Sequence, residues 1–231
     1  MSKTPKSRKI PKPKSGLYKV VKFVLTYPLR FLCNMRVRGT ENAPTADQGA
    51  YLVIANHRTW ADPIYLCCVL KHGQPHFMAK KELFRIPLLN LLIRALGAYP
   101  VNRGGADVGA IKLTIAFLES GEMVGIFPQG TRHPGVNPAT TPIKGGVGMI
   151  TWHTKATVLP VCIATKHNRV RPFSPTKLII GKPIPFEEFG YENGGRKEYL
   201  TASERIFSDI CRLGGFDRAL PEASSSDEVT E

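Results

Sequence analysis

From residue 50 onward, short apolar runs alternate with helical segments, and that alternation narrows the architectures open to the chain. Residues 51–55 (YLVIA) are apolar without interruption, the signature of a strand covered on both faces. Asp62 and Pro63 then supply an N-cap and a first-turn proline for a helix through residue 70. Further strands are predicted at 76–79, 98–101, 124–127, 157–164 and 178–180. Helices are predicted at 87–96, from Asp107 to about 121, at 144–155 and at 198–213. This order predicts an α/β fold: one domain, with a mostly parallel or mixed sheet flanked by helices, spanning residues 38–216. At 231 residues and 42% hydrophobic content the chain can bury one such core, and no internal repeat or second domain is apparent.

The charge is unevenly placed. Thirty-two Lys and Arg against eighteen Asp and Glu give +14, an excess that points to phosphate, nucleic acid or an anionic membrane surface. Residues 1–40 hold eleven of the bases and no acid, which leaves only +3 on the rest. The basicity belongs to an N-terminal arm without basic-aromatic motifs, so nucleic-acid binding is the remote reading. Residues 1–16 are expected to be a disordered basic arm, and the Ser- and acid-rich residues 217–231 a disordered tail. Residues 17–37 read as an amphipathic interfacial helix: at 100° per residue, Lys19, Lys22, Thr26, Arg30 and Asn34 form one narrow polar stripe. Its apolar run from Leu17 to Met35 would be roughly 28 Å long as a helix, nearly a bilayer core, but three cations make crossing costly. Lying on the membrane surface fits better, with a core-packed helix and a solvated stripe as the alternative. The five cysteines include no CxxC and sit in apolar surroundings, which implies buried thiols in a reducing compartment. No signal peptide is expected, because Lys22 and Pro28 break the apolar run and no small-residue cleavage site follows. Placement on the cytoplasmic face of a membrane, peripheral or monotopic, is the resulting expectation.

The chemistry-bearing residues cluster after the predicted strands. His57 stands just beyond YLVIA, and Asp62 opens the next helix. A carboxylate accepting from one imidazole nitrogen fixes the tautomer and supports the imidazolium, leaving the other nitrogen to take a proton. By itself N-H-x4-D is weak: Asp62 also reads as a plain helix cap and His57 as a loop histidine. No serine adjoins in a nucleophile elbow, which favours direct attack by an acceptor hydroxyl over an acyl-enzyme. Lys80, Arg103 and Arg132 end further strands and bring cations toward one rim. The amides around Gly130 could add donors. The remaining histidines lack zinc-site spacing and carboxylate company, so no metal is expected.

With those residues in order, the chain resembles the lysophosphatidate acyltransferase family (1-acylglycerol-3-phosphate O-acyltransferases). The match runs over about residues 50–185 through NHRTWAD, then KKELFRIPLLNLLIRALGAYPVNR, then GIFPQGTR, and VLPVCIA after IKGGVG. The resemblance implies esterification of the free hydroxyl of 1-acylglycerol 3-phosphate, giving phosphatidic acid for phospholipid biosynthesis. It implies no cofactor, with acyl-CoA or acyl carrier protein as co-substrate. By resemblance His57 and Asp62 are the catalytic dyad, and Lys80 and Arg103 bind the acceptor phosphate. Gln129, Gly130, Thr131 and Arg132 line the acceptor pocket on the same basis, and Pro160 belongs to an apolar motif assigned to the acyl donor. One position departs: the family's third motif usually reads F-P-E-G, and here residue 129 is Gln. That departure opens an alternative acceptor, another lysophospholipid or an amino-acid lipid. The expected partners are these substrates and an anionic membrane surface.

Overall fold

Arg36 and Arg38 alternate with Met35 and Val37 just after the N-terminal helix, and this four-residue segment is the sheet's edge strand. The computed structural model describes residues 15–45, 49–70, 72–102 and 107–218. Helix α1 (Ser15–Leu32) leads through a tight turn at Cys33 and Asn34 into β1 (Met35–Arg38). The helix therefore stops short of residue 37, and the sheet begins before residue 38. Alternation then follows the sequence reading closely: β2 (Tyr51–Ala55), α2 (Asp62–Val69), β3 (His76–Lys80), α3 (Pro87–Ala95), β4 (Ala98–Val101), α4 (Val108–Glu119). The remaining elements are β5 (Val124–Ile126), α5 (Gly146–Thr154), β6 (Thr157–Thr165), β7 (Thr176–Ile180) and α6 (Arg196–Leu213).

The seven strands form one mixed, mostly parallel sheet in the order β1-β7-β6-β2-β5-β3-β4. All pairs are parallel except β6 with β7. Every residue of β2 is buried, because both of its faces are covered. Val53 and Ala55 pack toward α2 and the α1 side, whereas Leu52 and Ile54 pack among residues of α4, α5 and α6. Burying a side chain such as Leu66 or Phe207 contributes on the order of 1.5–3 kcal/mol, so these two layers hold the sheet between them.

Because β6, β2, β5, β3 and β4 run parallel, their C-terminal ends open on one edge, the place where ligands gather in such sheets. The two immediate neighbours of β2 are β5 and β6, a fact that decides what its loop can touch.

Residues 1–14 of the expected arm (1–16) and 219–231 of the expected tail (217–231) lie outside the described residues. The expected boundaries move toward the chain ends on both sides: Ser15 and Gly16 belong to α1. Arg218 is also built into the domain, pairing with Glu204 at 2.7 Å. Helix α1 departs from expectation in its facing. Lys22 turns inward, its Nζ donating to Leu70 O at the C-terminal end of α2 (2.5 Å). Val20, Phe23, Val24, Tyr27 and Phe31 face outward. The stripe is not solvated as a whole, because the last carbonyls of α2 need donors and Lys22 supplies one. Helix α3, which packs beside α1, exposes Leu88 at 84% and Leu91 at 61%.

Candidate active site

Strand β2 delivers Asn56, His57 and Arg58 onto the open edge, and both flanking residues are locked down. Asn56 is buried and makes two bonds with β6: its Nδ2 donates to Ile163 O (3.0 Å) and its Oδ1 accepts from Ile163 N–H (2.7 Å). Arg58, also buried, donates from Nε to the same carbonyl at 2.6 Å. Its guanidinium lies over the Phe216 ring at 5.5 Å. A buried polar pair straight after a buried strand is a signal that partners must exist. Their identity depends on β6 lying beside β2.

Between them, His57 Nδ1 lies 2.8 Å from Asp62 Oδ2. That oxygen also accepts the backbone N–H groups of Arg58 (2.5 Å) and Thr59 (2.8 Å). Asp62 is fully buried and is the first residue of α2. Its carboxylate is turned back into the preceding loop, and Ala61 is the N-cap, so the expectation that Asp62 caps the helix is corrected. The loop requires an acceptor for its own amides, and the aspartate serves them and the imidazole together. The ring of His57 stacks on Phe127, with centroids 4.2 Å apart. Nε2 makes no hydrogen bond among the described residues. One nitrogen is thus committed to a carboxylate and the other stays available for a substrate proton.

The segment after β5 holds the main chain of His57 from the other side. His57 N–H donates to Gln129 Oε1 (2.6 Å), and His57 O accepts from His133 N–H (3.0 Å). Gln129 is only 5% exposed, and its Nε2 donates to Thr141 Oγ1 at 2.7 Å. Each end of the amide makes one bond to protein, which ties Gln129, expected at the acceptor, to the main chain of His57. Gly130 adopts φ +69, which closes the turn in which its N–H donates to Phe127 O (3.0 Å). Beyond it Thr131 and Arg132 are exposed on the rim.

Lys80 ends β3, half exposed, with Glu82 Oε2 at 3.8 Å, too loose a pair to hold it. Strand β3 is two positions from β2, roughly 10 Å across the sheet. Arg103 lies outside the described residues, just after β4. Pro160 is not brought to the rim: it is buried within β6 opposite Ile54, its carbonyl accepting from Gly181 N–H. The sequence reading missed Asn56, Arg58, Phe127 and Thr141. Thr141 carries no local signal, since its role depends on where a loop returns.

Two buried cysteines lie near the site. Burial pushes Cys162, beside Arg58, up to about 12, and its neighbour Cys211 up to about 11. Neither offers a thiolate at neutral pH. Cys68 is half-buried, where all five cysteines were expected to be buried.

Residues 34–164 match the acyltransferase family. A 1-acyl-sn-glycerol-3-phosphate acyltransferase of Streptococcus pneumoniae is 36% identical over 183 residues, 78% of this chain and 66% of that protein. This chain therefore spans just under two thirds of the pneumococcal relative's length. The protein of the same name from Bacillus subtilis is 33% identical over 177 residues, 76% of this chain and 86% of its own length. The fold matches the crystal structure of the 1-acyl-sn-glycerophosphate (LPA) acyltransferase PlsC from Thermotoga maritima, with a TM-score of 0.64. That match covers 89% of this chain and 81% of the other, at 24% identity.

Proposed function

The chain belongs to the acyltransferase family, and from that premise we propose that it transfers a fatty acyl group from a thioester to the free hydroxyl of 1-acylglycerol 3-phosphate, forming phosphatidic acid. The observation that carries this reading is the His57 Nδ1 to Asp62 Oδ2 contact of 2.8 Å with Nε2 left open on the shared edge. Nε2 takes the proton from the acceptor hydroxyl as that oxygen attacks the thioester carbonyl. Asp62 supports the imidazolium that forms. The tetrahedral intermediate collapses, the C–S bond breaks, and the departing sulfur takes the proton back from His57. The raised thiols of Cys162 and Cys211 agree with direct attack in place of a covalent enzyme intermediate.

Lys80 and Arg132, exposed around the same edge, are suited to the acceptor phosphate, with Arg103 following the neighbouring strand. Gly130 and Thr131 shape the rim between them. The motif containing Pro160 contributes by packing β6 against β2. Acceptor choice was open to an alternative through Gln129. Its bonds to His57 and Thr141 tie Gln129 to the loop beneath the histidine, which weakens that motive.

The outward face of α1 with α3 supports docking on a membrane surface. No helix among the described residues is long and apolar enough to cross a membrane. Phe31 is nonetheless 74% exposed, and Val20, Phe23, Val24 and Tyr27 share its face. Lys19, Lys22 and Arg30 line a groove of about 280 Å³ at its border with α2. Apolar insertion flanked by cations suits an anionic leaflet, with the basic residues 1–14 adding salt-sensitive attraction. The unpaired cysteines favour the cytoplasmic face.

Purified protein, supplied with a lysophospholipid panel and with acyl-CoA or acyl carrier protein thioesters, tests the reading. Phosphatidic acid should form from 1-acylglycerol 3-phosphate in preference to lysophospholipids with larger headgroups. Equal or greater turnover on another acceptor would overturn the substrate assignment, and the two donor arms identify the co-substrate.

A further inference from the structure

We propose that Gln129 is a positioning residue that sets the catalytic histidine through its main chain, and that its neutral amide is matched to Thr141. The inference rests on the acyl-transfer reading of His57.

His57 N–H has one proton and needs an acceptor, which Gln129 Oε1 provides at 2.6 Å. Thr141 also has one hydroxyl proton, and it is committed to Pro138 O at 2.7 Å. Toward residue 129 the Thr141 oxygen therefore offers only a lone pair, and it accepts from Nε2 at 2.7 Å. The position demands an acceptor at one end and a donor at the other, across a single planar group. An amide meets both demands. An ionised carboxylate meets only the first, because its second oxygen would face the Thr141 lone pair. Thr141 is 2% exposed and Gln129 5%, so water cannot readily stand in.

The far end of this relay is itself anchored. Arg218 Nη1 donates to Ala139 O (2.8 Å) and Thr141 O (2.9 Å), and its Nη2 pairs with Glu204 at 2.7 Å. A run of buried and part-buried bonds thus leads from α6 through the 138–141 turn and Gln129 to the backbone of the catalytic base. His133 N–H on His57 O closes the same segment on the other side. Displacing the main chain moves the imidazole relative to the bound hydroxyl, and small errors of position lower the rate of transfer more than they lower binding.

The test uses full-length Gln129→Glu, Gln129→Met, Thr141→Val and Thr141→Ser. Acyl-transfer kinetics are read alongside hydrogen exchange of the His57 amide. Gln129→Glu, Gln129→Met and Thr141→Val should each lower kcat about tenfold or more while leaving the acceptor KM within about twofold. Thr141→Ser, which keeps the hydroxyl, should restore kcat to within about threefold of wild type. Exchange at His57 should quicken in Gln129→Met and Thr141→Val and stay slow in Thr141→Ser. A rise in acceptor KM at unchanged kcat would overturn the proposal in favour of direct acceptor contact, and unchanged kcat in Thr141→Val would overturn the matched pair. Hydrogen exchange needs no substrate. If the wild type proved inactive on every lysophospholipid, the acyl-transfer reading would fail on its own, while unaltered exchange at His57 in Gln129→Met would overturn the relay.

Discussion

The two ends of α2 present opposite kinds of surface. At its first residue, Asp62 is fully buried and one of its oxygens serves an imidazole and two backbone amides. At its far end, Leu70 O meets Lys22 of α1, and beyond that contact α1 and α3 turn a broad apolar surface outward. At the first end most polar groups are engaged, although among the described residues Asp62 Oδ1 and Arg58 Nη2 are buried without a hydrogen-bond partner. The second has apolar groups engaged except where a bilayer should act. The contrast under the proposed function is between His57 Nε2, which would take a proton, and the outward side chains of α1 and α3, which would meet lipid.

The largest effect expected is at the polar end. His57→Ala should slow turnover by about 10²–10⁴-fold, the usual cost of removing a general base. It should leave the fold intact, because Asp62 keeps its two backbone donors when the ring is removed. Kinetics and thermal unfolding of the variant check both halves. Turnover near the wild-type rate would end the base assignment.

Next comes a contrast between apolar residues on the two surfaces. Leu66→Ala, in the buried heart of α2, should cost about 2–5 kcal/mol in denaturant unfolding. Leu88→Ser, on the outward face of α3, should stay within about 0.5 kcal/mol. A large loss from Leu88→Ser would mean that the outward face is packed in the folded protein.

The same face can be tested as a surface for lipid. Phe23→Ser with Phe31→Ser should reduce flotation with anionic vesicles about tenfold at high salt, where screening weakens the cationic contribution. Binding that disappears with salt and ignores these phenylalanines would reduce the docking to electrostatics.

The smallest effect belongs to a histidine that takes no part in either region. His76 is buried, its Nδ1–H donating to Gly97 O (3.0 Å), with Glu122 too distant at 3.8 Å to hydrogen-bond Nε2. Burial is the leading cause that lowers its affinity for a proton below the ordinary value. The unfolded chain then binds the proton more readily, so stability falls as pH drops through and below the ordinary histidine range of about 6.5. Thermal unfolding between pH 8 and 5 should show this decline, and His76→Gln should flatten part of it.

The elements legible from sequence were those whose signal is local. YLVIA followed by Asp62-Pro63 announces a buried strand and a helix, and His57 with Asp62 spans only one turn of chain. Strand β1 escaped notice because it is four residues long and pairs with β7, far along the chain. Its exposed Arg36 and Arg38 resemble the end of a basic helix. Gln129 was visible as a departure, but its partners were not. Its bonds exist because β5 lies beside β2, and strand order is a property of the whole sheet. The facing of α1 was hidden for a similar reason. A cationic stripe reads as solvated until a carbonyl from another helix claims one of its lysines.

The central claim is that an acceptor hydroxyl, activated by His57, attacks the thioester directly. Rapid mixing of the wild-type enzyme with a saturating acyl thioester, with and without 1-acylglycerol 3-phosphate, tests it most directly by following thiol release and phosphatidic acid together. The account predicts thiol release that waits for the acceptor and then matches phosphatidic acid one for one from the first turnover. A burst of thiol, stoichiometric with enzyme and formed before acceptor is added, would contradict it by revealing an acyl-enzyme.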